Sequence, residues 1–431
     1  MPFESFGQPL RRIAVIGAGI TGMTAAHNLA GHHAVVLFER EGRLGGHART
    51  VLAGKRGDQP VDTGFIVYNR VNYPNLVALF DKLCVPVIES DMSFGASIKG
   101  GWFEYGTATN LAFFEQKRNL IRPQFWGMFR DMLHFNNNAL AASQDKGLTI
   151  GGLLDKLGTG DWFRDYYITP LSGAIWSTPT QGILDFPAEA MIRFFANHNL
   201  LGISGQHQWY TVQGGSGQYV RRLADELDRQ GVEIRLGAGV MGIRREQDGV
   251  FIRAHGGEWE LFDDVVMATH SDVSLAMLSD ASGQERANLG AVRYQPNTSV
   301  LHCDPCVMPK RKRVWSSWVY SEPAGARSDK IDLTYWMNSL QAIPQDDPLF
   351  VTLNPNRAIR EEMIYEVNTF HHPVYDLAAV AAQEKIRATN GTANTWFAGA
   401  WMRDGFHEDG MVSALDVVGA IRLRTLARMA A

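Results

Sequence analysis

Ile13-Ala14-Val15-Ile16 and Ala34 to Phe38 are short unbroken apolar runs, and an Ala-rich segment lies between them. They read as strand, helix, strand. Pro74, Leu76, Leu79, Phe80 and Leu83 recur at helical spacing, and Cys84-Val85-Pro86-Val87 ends that helix. Ser93 to Tyr105 alternates as a hairpin does, turning at Gly100-Gly101. From about Asn110 to Asn199 the pattern is helical and rich in Phe, Trp and Leu. The stripe within Leu120 to Phe135 (Phe125, Trp126, Met128, Phe129, Met132, Leu133, Phe135) is read as core in preference to contact surface. An amphipathic helix follows over Tyr219 to Gln230. The chain then turns to strands at Val232–Leu236, Val240–Arg245, Val250–Ala254, Trp259–Leu261 and Asp264–Thr269. Alternation returns at Thr298–His302, Trp315–Tyr320 and Lys330–Met337, and a last strand, Thr395 to Trp401, precedes a helix from Met411.

The chain has 431 residues, too many for one ordinary core, and this order of elements suits two interleaved domains. A net charge of −4 excludes a general attraction to nucleic acid. The first twelve residues have no apolar core of a signal peptide, and no run approaches a membrane span. A cytoplasmic protein is expected, with peripheral contact to the inner membrane face left open. Three cysteines (Cys84, Cys303, Cys306) argue for a reducing compartment. Cys303 and Cys306 beside His302 make half a metal site with no second half, and His371-His372 point apart on any regular element, so no metal is expected.

The turn after the first strand carries the chemistry. In Gly17-Ala18-Gly19-Ile20-Thr21-Gly22, Gly17 permits a tight turn, Gly19 lets backbone approach a pyrophosphate, and Gly22 lets the helix pack close to the strand. Glu39 ends the second strand seventeen positions after Gly22, where a carboxylate accepts both hydroxyls of an adenosine ribose. Arg43-Leu44-Gly45-Gly46-His47-Ala48-Arg49 adds a second glycine pair and two cations for phosphate oxygens, and Thr63-Gly64 in Val61 to Phe65 reads as another turn at a ligand.

The order GxGxxG, Glu39, Arg-x-Gly-Gly resembles the flavin amine oxidase and phytoene desaturase superfamily. The resemblance implies an α/β fold: a Rossmann-like FAD-binding domain of the flavin amine oxidase type interleaved with an α+β substrate domain. It assigns 1–90, 205–290 and 390–431 to FAD, and 91–204 and 291–389 to substrate, with a helical part at 110–204 and a sheet part at 291–370. It implies FAD, held by Gly17, Gly19, Gly22, Glu39, Arg43, Gly45, Gly46, Thr63, Gly64, the backbone of Val240, Gly399, Gly410 and Met411. Ala400 stands where the family usually has an acid, so Asp404 or backbone N–H groups would replace that contact. Runs such as Asp62 to Val67, Asn197 to Leu201, Phe370 to Pro373 and Gly405 to Gly410 are similar to bacterial FAD oxidoreductases linked to cyclopropane-fatty-acid-synthase-like genes and to methyl-branched or furan fatty acids. That likeness implies a hydrophobic or acyl-chain substrate and a fatty-acid methyltransferase partner.

A flavin takes hydride from a C–H weakened by a neighbouring double bond, carbonyl or amine, so an olefinic acyl chain losing hydride and a proton would become a diene. His407 and Glu408 are the candidate bases, His407 with a pKa near neutrality and Glu408 if desolvated. The equal alternative is that His407 only orients its loop. The competing enzyme is an amine oxidase, with Lys330 as the lysine near N5; a non-catalytic flavin- or lipid-binding protein is the third reading. Lys310 to Arg313 beside Trp315 and Trp318 reads as a charged hairpin tip, with a membrane anchor as the alternative.

Overall fold

The computed structural model describes residues 10–109, 111–202, 205–325 and 328–430. The first apolar run becomes the central strand, Arg12–Ile16, of a five-stranded sheet. Ala34–Phe38 and Asp264–Met267 flank it, with Glu233–Arg235 and Thr395–Phe397 at the edges, every pair parallel. Layers cover both faces, which is why these strands are apolar throughout. On one face, residues of helices Ile20–Leu29, Pro74–Lys82, Gly217–Arg229 and His407–Ala430 share a core with Ile13 and Val15. On the other, Ala14, Ile16 and Val36 meet the antiparallel strands Val240–Glu246, Gly249–Ala254 and Trp259–Phe262.

A second, seven-stranded sheet runs in the order Ile364–Val374, Arg293–His302, Phe350–Leu353, Leu333–Trp336, Trp318–Ser321, Phe94–Ile98, Phe103–Gly106. It is antiparallel except where Trp318–Ser321 joins Phe94–Ile98. Helices Pro123–Ala142, Ile150–Leu157, Thr169–Trp176 and Ala188–Asn197 pack on it through an aromatic core. Most of the Leu120 to Phe135 stripe lies in that core, Phe125, Met128, Met132 and Phe135 being buried; Trp126 is exposed.

The structure departs from the sequence pattern in four places. Helix Leu377–Thr389, counted with the substrate domain at 291–389, buries Ala379, Ala382 and Ile386 against Ile16, Val36 and Phe397, so it belongs to the parallel-sheet core. The edge strand Ile364–Val374 runs on through Phe370 and His372, beyond the sheet limit of 370. Trp315 stays outside the sheet, because Lys312–Val314 turns as a 3-10 helix and the strand starts at Trp318. The last helix begins at His407, not Met411. Among the described residues no helix is long and apolar enough to cross a membrane.

Candidate active site

Gly17, at φ +95°, turns the chain off the central strand, and its N–H donates to the Phe38 carbonyl at 2.8 Å. A Cβ on Gly22 would overlap the Gly17 carbonyl oxygen, so only hydrogen lets the helix begin this close. Gly19 opens on free space, and no side chain caps the helix that follows. Its first-turn N–H groups and positive dipole end are therefore available to an anion. The Glu39 carboxylate accepts the Ala18 N–H at 2.7 Å through Oε2 and the Glu41 N–H at 2.9 Å through Oε1. Each oxygen keeps a lone pair for a hydroxyl. Ala238 N–H donates to the Glu39 carbonyl at 2.8 Å, which brings Val240 beside the same strand end. This cradle fits the adenosine and pyrophosphate of a dinucleotide.

The second glycine pair lies on the first. Gly45 N–H donates to the Ala18 carbonyl at 2.8 Å, and a Cβ on Gly46 would stand 3.0 Å from the Gly19 Cα. Arg43 is turned inward: its guanidinium donates to the carbonyls of Gly46 at 2.9 Å and of Leu44 and Ala48 at 3.3 Å, and pairs with Glu41 at 3.0 Å. These bonds brace the loop and fix the guanidinium beside the second glycine pair. Arg49 pairs with Glu366 of the edge strand. Thr63 and Phe65 donate their N–H groups to the carbonyls of Arg49 and His47, both at 2.9 Å, and a Cβ on Gly64 would overlap the His47 carbonyl oxygen. At the other end, Gly399 N–H donates to Ser413 Oγ at 3.0 Å, Met411 is buried, and a Cβ on Gly410 would stand 2.6 Å from Thr21 Oγ1. The first turns of the first and last helices are thus adjacent, two positive dipole ends at one place. Asp404, offered for the acid missing at Ala400, faces Arg193 at 3.9 Å.

The two base candidates have different fates. His407 lies flat on Phe65, with centroids 3.8 Å apart, and its Nε2 is 2.8 Å from the Tyr219 hydroxyl. Burial, with His47 adding to it, lowers the His407 imidazole to about 3, which corrects the expectation of a near-neutral pKa. Burial raises the Tyr219 phenol, so Tyr219 keeps its proton and donates it to Nε2. Glu408 is buried and caps helix Pro74–Lys82: Oε1 accepts Asn75 N–H at 3.0 Å and Asn75 Nδ2 at 2.6 Å, and Oε2 accepts Leu76 N–H at 3.0 Å. That bonding gives Glu408 a structural role at the helix start. Glu408→Ala is expected to lower stability by about 2 kcal/mol, the cost of stranding those donors, while turnover per bound flavin persists. Urea unfolding beside flavin-normalised rates checks this; lost turnover at unchanged stability would return the base role to Glu408. Lys330, offered for the amine oxidase reading, is exposed.

Sequence reasoning missed a cluster of rings where the two sheets meet. His47 lies 5.9 Å from both His270 and His372 and stacks on Phe370 at 5.0 Å, and His270 stacks on Tyr294 at 4.3 Å (all between ring centroids). Asn297 Nδ2 reaches His372 Nδ1 at 2.8 Å. Burial, with the Arg43 charge adding to it, lowers His47 to about 4, and burial with His47 beside them lowers His270 and His372 to about 3, so all three are neutral at physiological pH. They come from a loop and from the ends of strands in both sheets, so no local motif announces them. His372 points in while His371 is exposed, the alternation a strand imposes, and no metal-binding group of three or more residues occurs among the described residues.

The profile of the family "Flavin containing amine oxidoreductase" matches residues 20–339. The chain belongs to that family. The family is flavin-containing, and the chain is a flavin-dependent oxidoreductase. No curated protein matches the sequence. Solved structures share the fold over nearly the whole chain. One, from Exiguobacterium sp. 255-15 and provisionally assigned as a protoporphyrinogen oxidase, is 16% identical with a TM-score of 0.68 and covers 97% of this chain and 100% of its own. The CLA-producing fatty acid isomerase of P. acnes is 17% identical at 0.67, covering 95% and 98%. A putrescine oxidase triple mutant is 15% identical at 0.68, covering 96% and 99%.

Proposed function

We propose that this flavin amine oxidoreductase uses FAD to take hydride from a hydrophobic substrate, most simply desaturating a methyl-branched unsaturated acyl chain of a phospholipid. The observation that carries this reading is the uncharged wall at the junction of the two sheets. Phe65, His407, His47, His372, Phe370 and Tyr294 converge there, and each imidazole among them is neutral. Such a wall would present neutral rings to an apolar chain. The fold shared with a fatty acid isomerase is compatible with an acyl substrate.

A bound flavin supplies a two-electron acceptor for a hydrogen on carbon next to a double bond. Loss of that hydride and of a proton from a neighbouring carbon balances the conversion of an olefin into a diene. With Glu408 occupied by the helix cap, His407 is the remaining base expectation. Phe65 and Tyr219 orient its neutral ring, and because Nε2 accepts the Tyr219 hydroxyl, a substrate proton reaches that nitrogen only after this hydrogen bond breaks.

Anaerobic addition of methyl-branched unsaturated phospholipid to the purified yellow protein is expected to bleach the flavin absorbance, with a panel of amines leaving it unchanged. Bleaching by amines alone would overturn the acyl reading in favour of an amine oxidase, and bleaching by neither would favour a binding protein.

A further inference from the structure

The surface formed by the 3-10 turns Ala112–Phe114 and Lys117–Ile121 and the start of helix Pro123–Ala142 exposes large apolar side chains together: Ile121 at 84%, Leu111 at 79%, Trp126 at 47% and Leu120 at 39% of full exposure. They are held outward by structure beneath them. Trp126 Nε1 donates to the Leu120 carbonyl at 2.9 Å, and the indole stacks on Phe114 at 6.3 Å, which in turn packs on Phe113. Scattered exposed hydrophobics need no explanation, but a contiguous and internally braced group does.

Cations ring this group. Lys117 and Arg118 are exposed, Arg118 donating to the Gly101 carbonyl at 3.2 Å. Arg122 lies over the Trp102 ring at 4.4 Å. The run Lys310 to Arg313 joins the same face, because Arg313 pairs with Glu115 at 3.6 Å and Arg311 with the buried Glu104 at 2.6 Å. Lys310 Nζ donates to the Gly100 carbonyl at 2.8 Å and Lys312 lies over Trp315 at 6.0 Å, so both face carbonyl or ring partners that leave their charge uncancelled. Trp315 and Trp318 themselves are part-buried, Trp315 Nε1 donating to the Pro309 carbonyl at 2.9 Å. The apolar residues that accompany the basic run are therefore Leu111, Leu120, Ile121 and Trp126.

From this pairing of an apolar centre with a basic rim, on a chain whose net charge is −4, we infer that the face is a docking surface for an anionic lipid bilayer. The apolar side chains enter the headgroup boundary, and the cations meet lipid phosphates. The occupant is a membrane and not a protein of matching charge because four exposed apolar side chains stand together beside Lys117, Arg122, Lys310 and Lys312, while Arg311 and Arg313 are the rim cations paired with carboxylates. The inference stands on this surface alone and survives failure of the acyl-chain reading.

Flotation of the full-length holoprotein with vesicles tests it. The protein is expected to float with phosphatidylcholine–phosphatidylglycerol vesicles at low salt, and to bind pure phosphatidylcholine far less. Binding falls as salt screens the rim. Lys117→Glu and Lys312→Glu are each expected to weaken binding by about fivefold or more, and Ile121→Asn with Leu111→Asn to abolish it. All four positions are exposed, so folding and flavin content stay unchanged. Equal binding by the variants, or no flotation with anionic vesicles, would overturn the proposal. So would a dimer in solution that Ile121→Asn dissociates, since the face would then join two copies of the chain.

Discussion

Gly22→Ala is expected to yield a chain that purifies nearly colourless. The added methyl would overlap the Gly17 carbonyl oxygen and would stand 3.3 Å from the Ala268 Cβ, so strand, turn and helix must all shift. Overpacking of this kind costs about 1–3 kcal/mol or more. If the shift falls on the cradle, that corresponds to roughly ten- to a hundredfold weaker cofactor retention. The flavin absorbance ratio after gel filtration, and titration of the apoprotein with FAD, measure it. Gly19→Ala is the internal comparison: its Cβ meets nothing within 4 Å in the protein, so folding is preserved and only the approach of the pyrophosphate is obstructed. Gly22→Ala with full flavin content would show that the helix does not need to lie this close to the turn.

Asp62→Ala is expected to destabilise the protein by about 3–5 kcal/mol, because it strands several buried donors at once. The Asp62 carboxylate accepts Thr50 Oγ1 at 2.6 Å, Ser216 N–H at 2.9 Å, Ser216 Oγ at 2.7 Å and Gln341 Nε2 at 2.8 Å. It thereby joins a hairpin strand, the turn before helix Gly217–Arg229 and the helical turn Met337–Leu340. Burial raises its carboxyl to about 6 against those donors, so it is charged at neutral pH. Its folded pKa lies above the ordinary value, so the raised pKa contributes stability below the unfolded pKa that is lost as pH rises through about 6. The alanine variant is therefore expected to show a flatter stability profile over that acid range. Urea midpoints at several pH values give both results, and an unchanged midpoint would mean that water replaces all of these bonds.

The strand–turn–helix at Gly17 to Gly22 was legible because its determinants are local. Gly17, Gly19 and Gly22 act on the backbone within one turn, and Glu39 is placed by the length of one strand. The hairpin at Phe94–Ile98 and Phe103–Gly106 was legible for the same reason, since Gly100 and Gly101 supply positive φ at its tip. The loop-bracing bonds of Arg43 were not legible, because the carbonyls around a guanidinium are set by the folded loop and not by its sequence. Helix Leu377–Thr389 was misassigned because its buried residues are mostly alanines, which mark no side strongly, and its partner Ile16 lies at the far end of the chain.

The sequence by itself determined that a parallel sheet begins with a dinucleotide turn, that a second sheet and a helical layer follow, and that both return in alternation along the chain. Hydrophobic period and glycine placement act over a few residues, so they can be read from those residues. The tertiary structure alone decided the chemistry at the junction. His47, His270, His372 and His407 lie far apart in the chain, and their neutrality follows first from burial and then from the basic neighbours that folding brings beside them. It also decided that Glu408, two residues before Gly410, serves helix Pro74–Lys82. A titratable group takes its role from the dielectric and the donors around it, and those are supplied by distant segments that only folding brings into contact.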